Sequence, residues 1–264
     1  MTTATGHVDY GYGPTNGPHT WSLTCHTAAG ARQSPINIIT YKCHFNSKLT
    51  PFKVYVSHKG HKVLIRKKHN FQVSFKTDKP TSLEGGPLKD KYSLMQLHFH
   101  WGDDDDWGSE HHIDGRSYAA ELHLVFVNEK YTTMDQASSD PEGLCVIGIF
   151  LKSSQVECPA MEPLIKAMKS SEPGCETPIK EEIDISGLIP NTSRYFTYEG
   201  SLTTPPCMEC VRWIVCAEPL RLSKDQLATL RSMHCCETCC TNENFRPPVP
   251  VGKRQVVCSF PQKR

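Results

Sequence analysis

Short runs of β-branched and aromatic residues recur along this chain, each ended by a cluster of turn residues, and that rhythm restricts the fold more than any other feature. The runs are FKVYV (52–56), KVLIR (62–66), FQVSF (71–75), SLMQLHFHW (93–101), ELHLVFV (121–127), LCVIGIFL (144–151) and VRWIVC (211–216). TDKP, EGGP, GDDDDWG and SSDPEG punctuate them. The pattern predicts a mainly β protein with short helices (α+β), built on a large, mostly antiparallel, twisted central sheet. Helical periodicity is confined to PAMEPLIKAMKS (159–170) and SKDQLATLRSM (223–233), the second with Ser223 as its N-cap. No repeat or linker divides the 264 residues, and β-rich domains of this size are routine, so a single domain over 1–264 is expected.

The 29 Lys and Arg against 28 Asp and Glu leave a formal charge of +1, which removes any whole-chain argument for a nucleic acid or anionic membrane partner. The acidic run Asp103–Asp106 reads as a solvated turn and the basic run HKGHKVLIRKKH (58–69) as a charged strand rim. No stretch reaches the ~20 apolar residues of a membrane span, and MTTATGHVDYGYGPTNG lacks the pattern of a secretion signal. A soluble, cytoplasmic, monomeric protein is expected, with a small molecule as its partner. Its 13 cysteines cannot all pair, so mostly reduced thiols are expected. Two CxxC pairs, Cys207/Cys210 and Cys236/Cys239, have spacing that a structural zinc site could use. Cys210, however, reads as part of a strand, where residues three apart point to opposite faces. The reading preferred is buried small thiols in the strands and a thiol-rich surface loop at 235–240.

One run carries chemistry. In a strand, residues two apart share a face, so Gln96, His98 and His100 line one side of SLMQLHFHW, while Met95, Leu97, Phe99 and Trp101 line the other. ELHLVFV repeats the device, with Glu121, His123 and Val125 on one face. The intervening residues are turn-rich, enough to return the second strand beside the first. Three imidazoles then converge. In both strands a Gln or Glu precedes a ligand by two residues, placed to accept the ring N–H that a metal-bound histidine leaves over. Neutral imidazoles in a tetrahedral site suit Zn2+, although Co, Cu or Ni accept the same ligands. Three protein ligands leave one position open, as in catalytic sites, and water there ionises near neutral pH.

These segments, in order, resemble the α-type carbonic anhydrases: GYGPTNGP (11–18), RQSPINI (32–38), QLHFHWG (96–102), GSEHHIDG (108–115), AELHLVF (120–126), GIFLK (148–152), YEGSLTTPPCMECVRWIV (198–215) and NFRPP (244–248). The likeness covers about residues 10–260. It implies reversible hydration of CO2 to bicarbonate and a proton, with zinc on His98, His100 and His123. The acceptors behind these rings would be Gln96, Glu121 and the backbone carbonyl of Asn244. It further implies that Thr203 donates to Glu110 and so keeps a lone pair to orient the attacking hydroxide. An apolar wall for CO2 would comprise Val125, Val146, Leu202, Val211 and Trp213, with Thr204 beside it. His69 would shuttle the proton, its pKa lowered by the neighbouring Lys67 and Lys68. Weak esterase activity and inhibition by sulfonamides and anions are implied as well.

The chain departs from the family at Phe126 and Val127, which replace a common His and Trp, and at Tyr10, where Trp is usual. Cys207 matches a position disulfide-bonded in secreted relatives, but the partner position is Ala28, with Cys25 the nearest sulfur, so no bond is expected. Three other functions compete. A zinc peptidase or esterase lacks its HExxH segment; a decayed binding module would have lost a ligand histidine; a thiol-rich metal store would leave the ordered strands unexplained.

Overall fold

A computed structural model describes residues 10–233 and 242–262. The loop expected at 235–240, and with it Cys236 and Cys239, lies outside the described residues. Each run read as a strand is one. Eight strands matter for the site: β1 (His61–Arg66), β2 (Phe71–Lys76), β3 (Tyr92–Trp101), β4 (Ala120–Asn128), β5 (Leu144–Ser154), β6 (Glu176–Ile179), β7 (Tyr195–Gly200) and β8 (Val211–Cys216). They lie in one sheet in the order β6-β1-β2-β3-β4-β5-β8-β7, continued by Val257–Cys258 and His44–Phe45. Most neighbours are antiparallel; β5 and β8 run parallel, Leu144 beside Val211 and Val146 beside Trp213. Strand β6 carries Pro178, which cannot donate to a ladder and is tolerated because β6 is the end strand of the sheet.

Both faces of the central strands are covered. Leu97, Phe99, Trp101, Leu122, Leu124, Phe126, Ile147 and Ile149 point to one side and are fully buried there with residues of two helices, Leu164 and Ile165, Leu227 and Leu230. Each such side chain contributes roughly 1.5–3 kcal/mol by leaving water. Phe126, one of the departures from the family, faces this core and so fills space away from the histidines. Helix α1 (Glu162–Ser170) is entered through a 3-10 turn at Pro159–Met161. Helix α2 (Lys224–Arg231) opens with the expected Ser223, now seen as a reciprocal capping box with Gln226, an arrangement worth ~1 kcal/mol. On the other side of the sheet lie Val125, Val146, Phe196, Tyr198, Val211 and Trp213.

Met95 corrects the simple alternation. Leu94 pairs with Phe126 and Gln96 with Val125, so β3 carries one residue more than β4 at that point, a bulge. The extra residue lets Leu94 face the helix-side core while Met95 turns to the same side as Gln96, not to that of Leu97.

Cys25 and Cys207 share a small buried cluster with Trp21 and Ala28, and all nine cysteines among the described residues are free. Among the described residues, no helix is long and apolar enough to cross a membrane.

Candidate metal centre

Strand pairing brings the three histidines together. His98 lies directly opposite His123, and His100 opposite Glu121. Directly opposed residues of an antiparallel pair share a face. The ring centroids are 5.0 Å apart for His98 and His100, 5.1 Å for His98 and His123, and 4.8 Å for His100 and His123.

The remaining nitrogens are all turned outward onto acceptors. His98 Nδ1 donates to Gln96 Oε1 at 2.9 Å, His100 Nδ1 to the Asn244 carbonyl at 2.8 Å, and His123 Nε2 to Glu121 Oε1 at 2.8 Å. A carbonyl and a carboxylate can only accept, so they fix the proton of each ring on its outer nitrogen. The inner nitrogens therefore present lone pairs. His123 Nδ1 and His98 Nε2 approach to 3.3 Å, and the buried His100 Nε2 has no hydrogen-bond partner. Burial, reinforced by the neighbouring imidazoles, holds His98 well below the usual histidine range and His100 down to about 3. Burial likewise lowers His123, against an opposing pull from Glu121. The rings are neutral ligands, and the donor set fits a cation such as zinc.

Glu121 is itself anchored. Its Oε1 also accepts from His111 Nδ1 at 2.7 Å, and its Oε2 accepts from the His111 backbone N–H at 2.8 Å. Burial alone would raise this acid; His111 and His123 outweigh it and hold it well below the ordinary carboxylate value. The His111 Nε2 lies 2.6 Å from the Tyr198 hydroxyl, which is 2.9 Å from Ser34 Oγ. His111, Glu121 and His123 could be taken for a second metal group, but their polar atoms already bond one another. Sequence reasoning assigned His111 no role, because nothing local shows that Glu121 needs a second donor. Gly148 was equally silent. It sits opposite His123, and a Cβ there would lie 3.0 Å from Glu121 Oε1 and 3.5 Å from the Trp213 ring, so only glycine leaves the carboxylate its place.

Glu110 is fully buried beside the tripod. Its Oε1 accepts the Arg246 backbone N–H at 2.9 Å, and the Arg246 guanidinium ties that segment to Gln33, Ser34 and Ala28. Arg246 is a second residue that sequence reasoning passed over. Burial, and after it Glu121, raises the Glu110 acid well above the usual carboxylate range, while the Thr203 hydroxyl pulls the other way. Glu110 Oε2 is buried without another hydrogen-bond partner, and the Thr203 hydroxyl is the side chain that acts on this carboxyl.

A cleft of about 190 Å³ opens on the tripod, lined by Gln96, His98 and His123, by Val125, Val146, Leu202 and Trp213, and by Thr203 and Thr204. Val125, Val146 and Trp213 form one row across β4, β5 and β8. Val211 does not line the cleft; it is fully buried behind, beside Leu144, and Met95, Leu144 and Met134 line the wall instead. Larger hollows of about 800 Å³ and 620 Å³ occur elsewhere on the surface. Neither touches the histidines, so chemistry and not size locates the site.

His69, in the turn between β1 and β2, is only 6 % exposed, where an isolated reading of the sequence gives an open strand edge. Its Nε2 lies 2.7 Å from the Tyr10 carbonyl, its ring packs against Tyr10 and Tyr12, and its own carbonyl accepts from Asn244 Nδ2 at 3.0 Å. Lys67 Nζ donates to Gln72 Oε1 at 2.6 Å.

Comparison with known proteins agrees with this geometry. The family model described as eukaryotic-type carbonic anhydrase matches residues 16–260. The chain is 40 % identical to carbonic anhydrase 7 of Mus musculus over 269 residues, covering 97 % of this chain and 99 % of the relative. It is 40 % identical to carbonic anhydrase 3 of Rattus norvegicus over 261 residues, 96 % and 98 % of the two chains, and 38 % identical to carbonic anhydrase 1 of Monodelphis domestica over 260 residues, 96 % and 99 %. A sheet that sets three neutral imidazoles around one point, matched from end to end by these relatives, leads to one conclusion: the chain belongs to the eukaryotic-type carbonic anhydrases.

Proposed function

We propose that the chain catalyses reversible hydration of CO2 to bicarbonate and a proton, with Zn2+ held by His98, His100 and His123. The observation that carries the proposal is the set of three inward lone pairs, each enforced by an acceptor behind its ring. When bound, zinc supplies a hydroxide nucleophile near neutral pH, an effect for which carbonic anhydrase is itself the reference example.

The protein's own groups do the rest. Gln96, Glu121 and the Asn244 carbonyl fix the ring tautomers and orientations. The row Val125, Val146 and Trp213, with Leu202, gives uncharged CO2 an apolar resting place and keeps water from crowding it. Thr203, donating its proton to a Glu110 that the charge of a bound metal would help to keep ionised, turns an oxygen lone pair toward the nucleophile and so selects its orientation; Thr204 stands next to it in the same cleft.

His69 is assigned the transfer of the proton to buffer, on the resemblance to the family. Its bond to the Tyr10 carbonyl competes with that task, which predicts proton transfer that is slow when buffer is dilute. Free thiols at every described cysteine support a cytoplasmic location, and the chain is taken to act as a monomer. Weak ester hydrolysis and inhibition by sulfonamides and anions belong to the same proposal.

The test is metal content measured together with stopped-flow CO2 hydration, with and without a sulfonamide. Stoichiometric zinc and sulfonamide-sensitive hydration are expected; zinc-free protein, or zinc-loaded protein without hydration, overturns the proposal.

A further inference from the structure

The described cleft is lined by apolar residues, a neutral amide, hydroxyls and neutral imidazoles, and just outside that lining one cation is held by a residue on the same face of the sheet as His98. Gln72 of β2 lies directly opposite His98 of β3, so the two side chains stand on the same side of the sheet. Ser74 lies in the same way opposite Gln96, the residue behind His98. Gln72 is held between two contacts. Its Nε2 donates to Ser74 Oγ at 2.7 Å, and its Oε1 accepts from Lys67 Nζ at 2.6 Å.

The amide thus holds the lysine, an exposed residue, against a side chain that stands beside His98. The partner is neutral, so the charge of Lys67 is not cancelled, and among the described residues no carboxylate pairs with it. An ammonium has three donors, and this bond uses one.

We propose that Lys67 and Gln72 form an anion subsite at the rim of the metal cleft, which takes a carboxylate carried at the outer end of a small ligand whose inner end sits at the metal. The subsite rests on the carbonic anhydrase reading above. It sets specificity and takes no part in the chemical step.

The experiment uses the zinc-loaded full chain and two series of benzenesulfonamides, bearing at the para position either a carboxylate or the isosteric carboxamide on one, two or three methylenes. Dissociation constants are measured for wild type, Lys67→Gln and Gln72→Leu. In wild type one carboxylate of the series binds more tightly than its carboxamide. Lys67→Gln weakens that carboxylate about fivefold, as expected for a partly exposed ion pair, and leaves the carboxamide within about twofold. Raising salt from roughly 0.05 to 0.5 M erodes the preference in wild type and not in Lys67→Gln. Gln72→Leu, which keeps the charge and removes its anchor, loses most of the preference too. The subsite is overturned if both series bind and the carboxylate to carboxamide ratio is the same in wild type and Lys67→Gln. If neither series binds zinc-loaded wild type, the carbonic anhydrase reading falls, and the subsite with it.

Discussion

His123 Nδ1 faces His98 Nε2 at 3.3 Å with the proton of each ring committed to an acceptor behind it. Two lone pairs at that distance repel, and a third, on His100, is buried without a partner. A cation between them relieves all three at once. Zinc is therefore expected to stabilise the fold strongly: at a free concentration about 1,000-fold above its dissociation constant, ~4 kcal/mol. Calorimetry of chelator-treated and zinc-loaded protein should show a melting temperature several degrees lower without metal, recovered on adding zinc back.

The same rings make the metal-free protein sensitive to acid. In an unfolded chain a histidine takes up a proton below about pH 6.5, whereas the fold keeps His100 neutral down to about 3. The unfolded state then binds more protons than the folded one, so this contribution is whole above pH ~6.5 and is lost as pH falls toward the folded value. Urea midpoints of metal-free protein should drop between pH 7.5 and pH 5, and replacing His100 by Gln should flatten that slope.

Glu110 has the opposite sign. Burial raises its acid, so its contribution is fully present below the ordinary glutamate value of ~4.3 and is lost as pH rises through the folded value. Glu110→Gln should make the metal-free protein more stable at pH 8, by ~1 kcal/mol, while lowering turnover about tenfold or more. Thr203→Ala should lower turnover to a similar degree without the gain in stability and with zinc retained. Equal turnover in either variant would remove the pair from the mechanism.

Gly148→Ala tests the carboxylate behind His123. The added methyl meets Glu121 Oε1 at 3.0 Å and must push it by a few tenths of an ångström or be pushed away. Displaced acceptors behind metal ligands typically cost 10- to 100-fold in metal affinity. Competition against a chromogenic chelator should show a loss of that order, with the other two ligands in place.

Val146→Tyr should fill the cleft between Val125 and Trp213, lowering CO2 hydration roughly 10²-fold while zinc content stays stoichiometric. Val146→Ala, which leaves room, should change the rate far less. Stopped-flow traces of the two variants side by side separate lost space from lost metal.

The tripod was legible in the sequence because a strand's period of two is visible in LHFH and ELHL, and because a polar residue two positions before a ligand is an expected support. What stayed hidden depended on breaks in period or on distant chain. The bulge that turns Met95 to the cleft is a change of phase with no residue-type signature. Pro178 disguised β6, since a proline argues against a strand unless the edge position is known. His69 reads as an open turn until Tyr10 and Tyr12 are seen to cover it. Val211 and Leu144 are neighbours across β5 and β8, and sequence could not say which of them reaches the cleft.

Asn244 binds the carbonyl of His69 through its amide, exchanges bonds with the backbone of Trp101, and gives His100 its acceptor. In the order of synthesis it comes long after the last ligand. A nascent chain that has emerged as far as His123 already carries all three imidazoles, yet His100 is still free to choose either tautomer. The tautomer that leaves its Nε2 free becomes fixed only when the segment around Asn244 has been made and has docked, so on the proposed function tight loading with metal would mark a chain that has finished threading itself together.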